Sequence, residues 1–260
     1  MSTGTGIRAA AVAAVAALAL AAGAGTAAAD GSAFQRVGDA RVDLTWTGTR
    51  AAPRAIALRV RVGPRPLVAR GLQRGGWGIP PAGPIVGLRD LDGDGTLEAT
   101  ADLTSGGLRC CLRTHIVRWD ADAGAHRRIV HDWRAGGYRL ARLDRDRALE
   151  FVSADERLEF GAPPPAQLKP IRIWNYRDGA MHDVTASHRR AVAADLNHAW
   201  AMIGRLRRAG VDPRDAIAAY LADARLLGRA DAARRRGRPR SRRAGPRRRA
   251  GGGRSSPTRG

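Results

Sequence analysis

Two segments of this chain share one unusual pattern, and their separation limits the folds it can adopt. Residues 85–88 run into Asp90-Leu91-Asp92-Gly93-Asp94-Gly95-Thr96-Leu97-Glu98, and an apolar stretch to Leu103 leaves that loop. Gly137-Tyr138-Arg139-Leu140 runs into Leu143-Asp144-Arg145-Asp146-Arg147-Ala148-Leu149-Glu150, which Phe151-Val152 leaves. Glu150 follows Glu98 by 52 positions. A period of roughly 50 residues with several strands in each copy is the signature of a repeated sheet module.

Each acidic loop is followed by a second strand–turn–strand. After the first come residues 114–119, a turn at 120–124 and residues 129–133; after the second come 171–176, an Asp178-Gly179 turn and 181–184. Upstream, Ala40, Val42, Leu44 and Trp46 alternate with Arg41, Asp43 and Thr45, and Ile56, Leu58, Val60 and Val62 alternate with arginines. Period-two alternation marks half-buried strands, so this pair reads as a hairpin and a possible third copy. Residues 63–84, with five prolines, read as a connecting loop.

Beyond Thr185 the period becomes helical. Val192, Leu196, Ala199, Ile203 and Leu206 form one stripe, closed by Gly210. Asp212-Pro213 opens a second helix with Ile217, Tyr220, Leu221, Ala224 and Leu227 on its apolar side, closed by Gly228. The expected fold is mainly β: a partial propeller-like or β-repeat domain of two to three sheet modules over residues 30–185, then an αα-hairpin at 186–230. Ring closure usually takes about four or more blades, so an open arrangement is expected.

The ends differ in composition. In residues 1–29 Arg8 is the only charge, an Ala/Val/Leu run follows, and Ala27-Ala28-Ala29 precedes Asp30. This reads as a cleaved signal peptide, since an anchor needs ~20 strongly apolar residues. The expected location is therefore secreted or extracellular, with no transmembrane anchor after cleavage. The formal charge of +21 resides largely in residues 234–260, which hold 12 arginines and no acid. The segment 231–260 reads as a disordered Arg-rich tail. Three readings of it stand open: an anionic-polymer binder, a solvated tail without function, or an out-of-frame extension of a GC-rich gene. Nucleic acid is not its expected physiological partner.

The first loop carries the chemistry. Hard divalent cations take several oxygen ligands, and alternate carboxylates on a glycine-bearing loop converge on one point. Asp90, Asp92 and Asp94 supply three carboxylates, Thr96 a carbonyl and Glu98 a fourth carboxylate, while Gly93 and Gly95 permit positive φ. An EF-hand starting at Asp90 would need glutamate where Ala101 stands. Calcium is the expected cofactor. In the second loop Arg142 replaces the first aspartate and Arg145 and Arg147 replace both glycines, leaving Asp144, Asp146 and Glu150. Ion pairs are expected to hold it in place of a cation.

These loops resemble the FG-GAP or VCBS type repeat of integrin-like β-propellers, in which a D-x-D-G-D-G-x-x-E loop joins the first two strands of a blade. The resemblance implies a structural calcium. Residues 39–228 more closely resemble secreted actinobacterial proteins that combine this loop with a Gly-Gly pair, a Cys-Cys pair and a His-Asp-Trp, here Gly106-Gly107, Cys110-Cys111 and His131-Asp132-Trp133. Arg109 stands where that pattern often has histidine, which removes any metal role there.

Other chemistry is sparse. His115, His126, His131, His182, His188 and His198 show no zinc-ligand spacing, and Ser105 has no nucleophile signature. The six tryptophans read as core. Cys110 and Cys111 are the only cysteines, and adjacent Cα atoms lie about 3.8 Å apart, below the usual disulfide span. A vicinal bridge and two reduced thiols both remain open. The leading expectation is a secreted calcium-binding β-repeat protein with a protein or glycan ligand at the cell envelope. The rival is an extracellular metal-dependent hydrolase using the same loop.

Overall fold

The computed structural model describes residues 30–81, 83–107, 110–158 and 167–237, and the described residues form twelve strands and three helices. The strands are β1 (Gly31–Val37), β2 (Ala40–Thr47), β3 (Arg54–Arg61), β4 (Leu67–Arg70), β5 (Val86–Arg89), β6 (Glu98–Gly107), β7 (Cys110–Asp120), β8 (Ala125–Arg134), β9 (Arg139–Ala141), β10 (Glu150–Ala154), β11 (Ile171–Arg177) and β12 (Ala180–Asp183). They fall into three four-stranded antiparallel sheets, β1–β4, β5–β8 and β9–β12, each with its strands in chain order. The chain is mainly β, and among the described residues no sheet closes into a barrel.

Alternation in the sequence sets which face each strand buries. Val42 pairs with Val60 and Leu44 with Leu58 across β2 and β3, and none of the four is more than 1% exposed. Their side chains join Ile85, Leu88, Ala99, Ala101, Leu103 and Val117 in one cluster between the first and second sheets. The neighbour of Val117 on β7, Ile116, points the other way and joins Leu91, Trp133, Phe151 and Tyr176 between the second and third sheets. Each such burial is worth about 1.5–3 kcal/mol, so the middle sheet is held from both sides. Gly31 faces Trp46 across the β1–β2 pair, and a Cβ there would lie 2.1 Å from the indole. Only glycine leaves room for that ring.

The helices follow the sheets: α1 (Arg189–Arg208), α2 (Arg214–Leu226) and α3 (Ala230–Gly237). The buried set of α1 is Val192, Leu196, Ala199, Ile203 and Leu206, the stripe expected from its period. Gly210 at φ 69° ends it in a Schellman motif, with Gly210 N donating to Arg207 O and Val211 N to Leu206 O. Gly228 ends α2 in the same way. Ile171 on β11 packs into the helical cluster, so the third sheet lies between the second sheet and the helices.

The three sheets fall within the two to three modules expected, with β1 and β4 completing the first around the β2–β3 hairpin. Three features depart from the sequence expectation. β4 lies inside the proline-rich 63–84 segment expected to be loop throughout. The buried side of α2 keeps Tyr220, Ala224 and Leu227 of the expected stripe and adds Ala216, Ala219, Asp215 and Asp223, while Ile217 and Leu221 are only half-buried. Small alanines let α2 approach α1 more closely than Ile217 and Leu221 would allow. Helix α3 occupies 230–237, where the disordered tail was expected to begin. The expected signal peptide at 1–29 and the tail at 238–260 lie outside the described residues. Among the described residues no helix is long and apolar enough to cross a membrane.

Candidate metal centre

The first acidic loop joins β5 to β6 at the seam between the second and third sheets. Its aspartates fold it by accepting from its own backbone. Asp90 Oδ1 accepts from Gly93 N at 2.8 Å and Asp90 Oδ2 from Gly95 N at 3.0 Å. Asp94 Oδ1 accepts from Thr96 N at 2.7 Å and from the Thr96 hydroxyl. The carboxylates therefore turn inward, and one oxygen each from Asp90, Asp92 and Asp94 lies within 4.8 Å of the others. Two oxygens on opposite sides of a cation with bonds of about 2.4 Å lie ~4.8 Å apart, so this group can hold a metal ion.

Glu98 stands apart from those three. Its Oε2 accepts from Leu91 N at 2.8 Å, which ties the start of β6 to the start of the loop. At 1% exposure, burial lifts its carboxyl to about 8, with the charges of Asp92, Asp94 and Asp90 adding to the effect. Burial also raises Asp92, whereas the Thr96 hydroxyl holds Asp94 below the usual carboxylate range. Negative charge has been gathered here faster than the protein neutralises it.

Among the described residues, the one side-chain cation paired with this loop is Arg118 on β7, whose Nη1 lies 3.9 Å from Asp92 Oδ2. Arg118 also meets the hydroxyl of buried Tyr176 on β11. Sequence reasoning missed it, although Arg118 shares the strand face of Ile116 and so had to point toward the third sheet. The two acidic loops touch directly: Leu149 N donates to Leu91 O at 2.9 Å. Gly93 sits at φ 77°, and a Cβ on it would lie 2.9 Å from both Ala148 N and Arg147 Cβ. Glycine is needed there twice, for its dihedral and for the close approach.

In the second loop Glu150 Oε2 accepts from Leu143 N at 2.8 Å, reproducing the Glu98 bond. Arg145 and Arg147 do not adopt the positive φ of Gly93 and Gly95, so the chain wraps differently. Asp146 leans toward Arg177 at 3.9 Å. The expectation that ion pairs hold this loop is met only at Asp146; Asp144 and Glu150 form no ion pair with an arginine among the described residues.

The remaining expectations resolve simply. His131 packs its ring on Trp133 at 4.2 Å and on Trp174 at 4.7 Å, and Asp132 accepts from Arg113 Nε at 3.2 Å. This is packing and surface pairing. Cys111 is disulfide-bonded and its N–H donates to Ser105 Oγ at 2.9 Å; the only other cysteine in the sequence is Cys110. No protein-family model matches the chain, and no curated protein or solved structure is significantly similar to it. The geometry therefore carries the functional reading by itself.

Proposed function

We propose that this is a secreted β-repeat protein in which calcium, held by Asp90, Asp92 and Asp94, locks the second sheet onto the third, leaving the stacked domain to act as a binding module at the cell envelope. The observation that supports it is the convergence of three carboxylates on a loop whose backbone is bonded to the next module through Leu149 and Leu91. An oxygen-only donor set suits a hard cation of flexible geometry, which calcium is. Completion of its shell by the Thr96 carbonyl and the second oxygen of Glu98 belongs to the same reading. A structural ion at a seam explains why the strongest acidic cluster lies between modules and away from the large surface grooves. The ligand would be a protein or glycan met outside the cell.

Thermal melting with calcium and with chelator tests this. A ligand that binds only the folded state adds RT ln(1 + [L]/Kd), about 2.7 kcal/mol at a hundredfold excess over Kd. The melting point should rise with calcium in the wild type and stay put in Asp92→Ala. An equal response in both proteins would sink the assignment.

A further inference from the structure

We propose that Asp144, Glu150 and His188 form a second metal site, one that takes a zinc-class transition ion, at the seam between the third sheet and the helical hairpin. One ligand atom from each residue lies within 4.8 Å of the others. The three come from separate elements. Asp144 is in the second loop, Glu150 opens β10, and His188 immediately precedes α1.

The donors are available. His188 closes the turn at Thr185–Ser187 through its backbone, its N–H donating to Thr185 O at 3.2 Å and its carbonyl accepting from Val192 N at 3.1 Å. Its imidazole makes no capping bond, so the ring is free of the one local duty a residue at that place usually has. The turn itself is fixed to β11, because Thr185 Oγ1 accepts from Ile173 N at 3.0 Å. The main chain thus presents the ring to the loop without using it.

Glu150 supplies an independent observation. It is 2% exposed, yet among the described residues no cationic side chain pairs with it, and it accepts a hydrogen bond from Leu143 N. A buried carboxylate with no countercharge is costly, and it costs more beside Asp144. A divalent ion would neutralise both acids. Asp146, the acid that would complete an oxygen-only set like that of the first loop, leans instead toward Arg177. What replaces it is a nitrogen.

That exchange decides the class of metal. Calcium prefers oxygen donors throughout, whereas imidazole with carboxylate suits zinc and its neighbours in the first transition row. Zinc bonds to such donors run about 2.0–2.2 Å, which places neighbouring ligand atoms roughly 3.5 Å apart, within reach of small side-chain adjustments here. Three protein ligands also leave a position for water. The proposal does not rest on calcium at Asp90, Asp92 and Asp94.

The test is titration of the untagged, chelator-treated full-length protein with zinc, and with cobalt(II) as a visible reporter, in excess calcium. The wild type should bind one zinc per chain, and cobalt should give a d–d spectrum. His188→Ala and Asp144→Ala should each weaken zinc binding at least tenfold, while His198→Ala, which removes an exposed histidine of α1, leaves it unchanged. Asp144 is exposed, so Asp144→Ala decides the matter even if His188→Ala misfolds. Binding that is absent in the wild type, displaced by calcium, or unaltered in Asp144→Ala overturns the proposal, the last showing that other histidines take up the metal.

Discussion

Glu98 and Glu150 make the same bond in two places, to Leu91 N and Leu143 N, each at 2.8 Å. In both cases a glutamate at the entrance of a strand fastens the start of the preceding loop, so the residue that survives in the altered second copy is the one that shapes the backbone. What was lost is the pair of glycines. Gly93 and Gly95 separate two reasons for keeping them: both have positive φ, but only Gly93 has a neighbour where its Cβ would go. Gly95→Ala should therefore cost about 1 kcal/mol, for its dihedral alone. Gly93→Ala should cost more, about 2–3 kcal/mol, and weaken calcium binding as it pushes the two loops apart. Urea denaturation of the two variants side by side measures the difference.

Among the elements, α2 is the one whose buried face is shifted from its sequence pattern. It buries Asp223 at 0% exposure beside Asp195 on α1, with neither carboxylate oxygen hydrogen-bonded among the described residues. Asp195 Oδ2 in turn accepts from Ile171 N at 3.1 Å, which links the helices to β11. Burial, then the adjacent Asp195 charge, raises the Asp223 carboxyl, which favours a protonated acid able to donate to Asp195. A raised folded-state value means the unfolded chain gives up its proton first as pH rises. Stability is then full below the unfolded value near 4 and is lost as pH climbs toward the folded one. Melting temperature should thus fall across that window. Asp223→Asn, which can still donate to Asp195, should flatten the fall and raise the melting temperature on the alkaline side. A pH profile unchanged by the substitution would count against the protonated acid.

At the scale of the whole molecule, three sheets and a helical layer are stacked in chain order, each pair sharing one apolar cluster. Coupling should follow those seams. Trp133 and Phe151 stack across the second seam with ring centroids 5.2 Å apart. Trp133→Leu and Phe151→Leu should therefore be non-additive by about 0.5–3 kcal/mol in a double-mutant cycle. Leu44→Ala, in the first seam, should instead add to Phe151→Leu within ~0.5 kcal/mol. Equal coupling in both cycles would mean the layers unfold without regard to the seams.

The sequence by itself determined much of this. Alternation placed β2 and β3 and their buried faces, the helical stripe named the buried set of α1, and glycine marked where both long helices stop. It also placed Asp90, Asp92 and Asp94 on a loop between strands. These features are local: a strand's two faces and a helix's stripe are fixed by backbone geometry whatever they pack against. Tertiary structure alone decided the rest. β1 and β4 bury little of their own, so their pairing depends on β2 and β3 beside them and leaves almost no trace in their residues. The turned face of α2 reflects the shape of α1. Arg118 reaches Asp92 from a different strand, and His188 comes to Asp144 and Glu150 from the far side of β11 and β12. No spacing along the chain reports such meetings, because they are set by which layers stack, and that depends on the fit of whole faces.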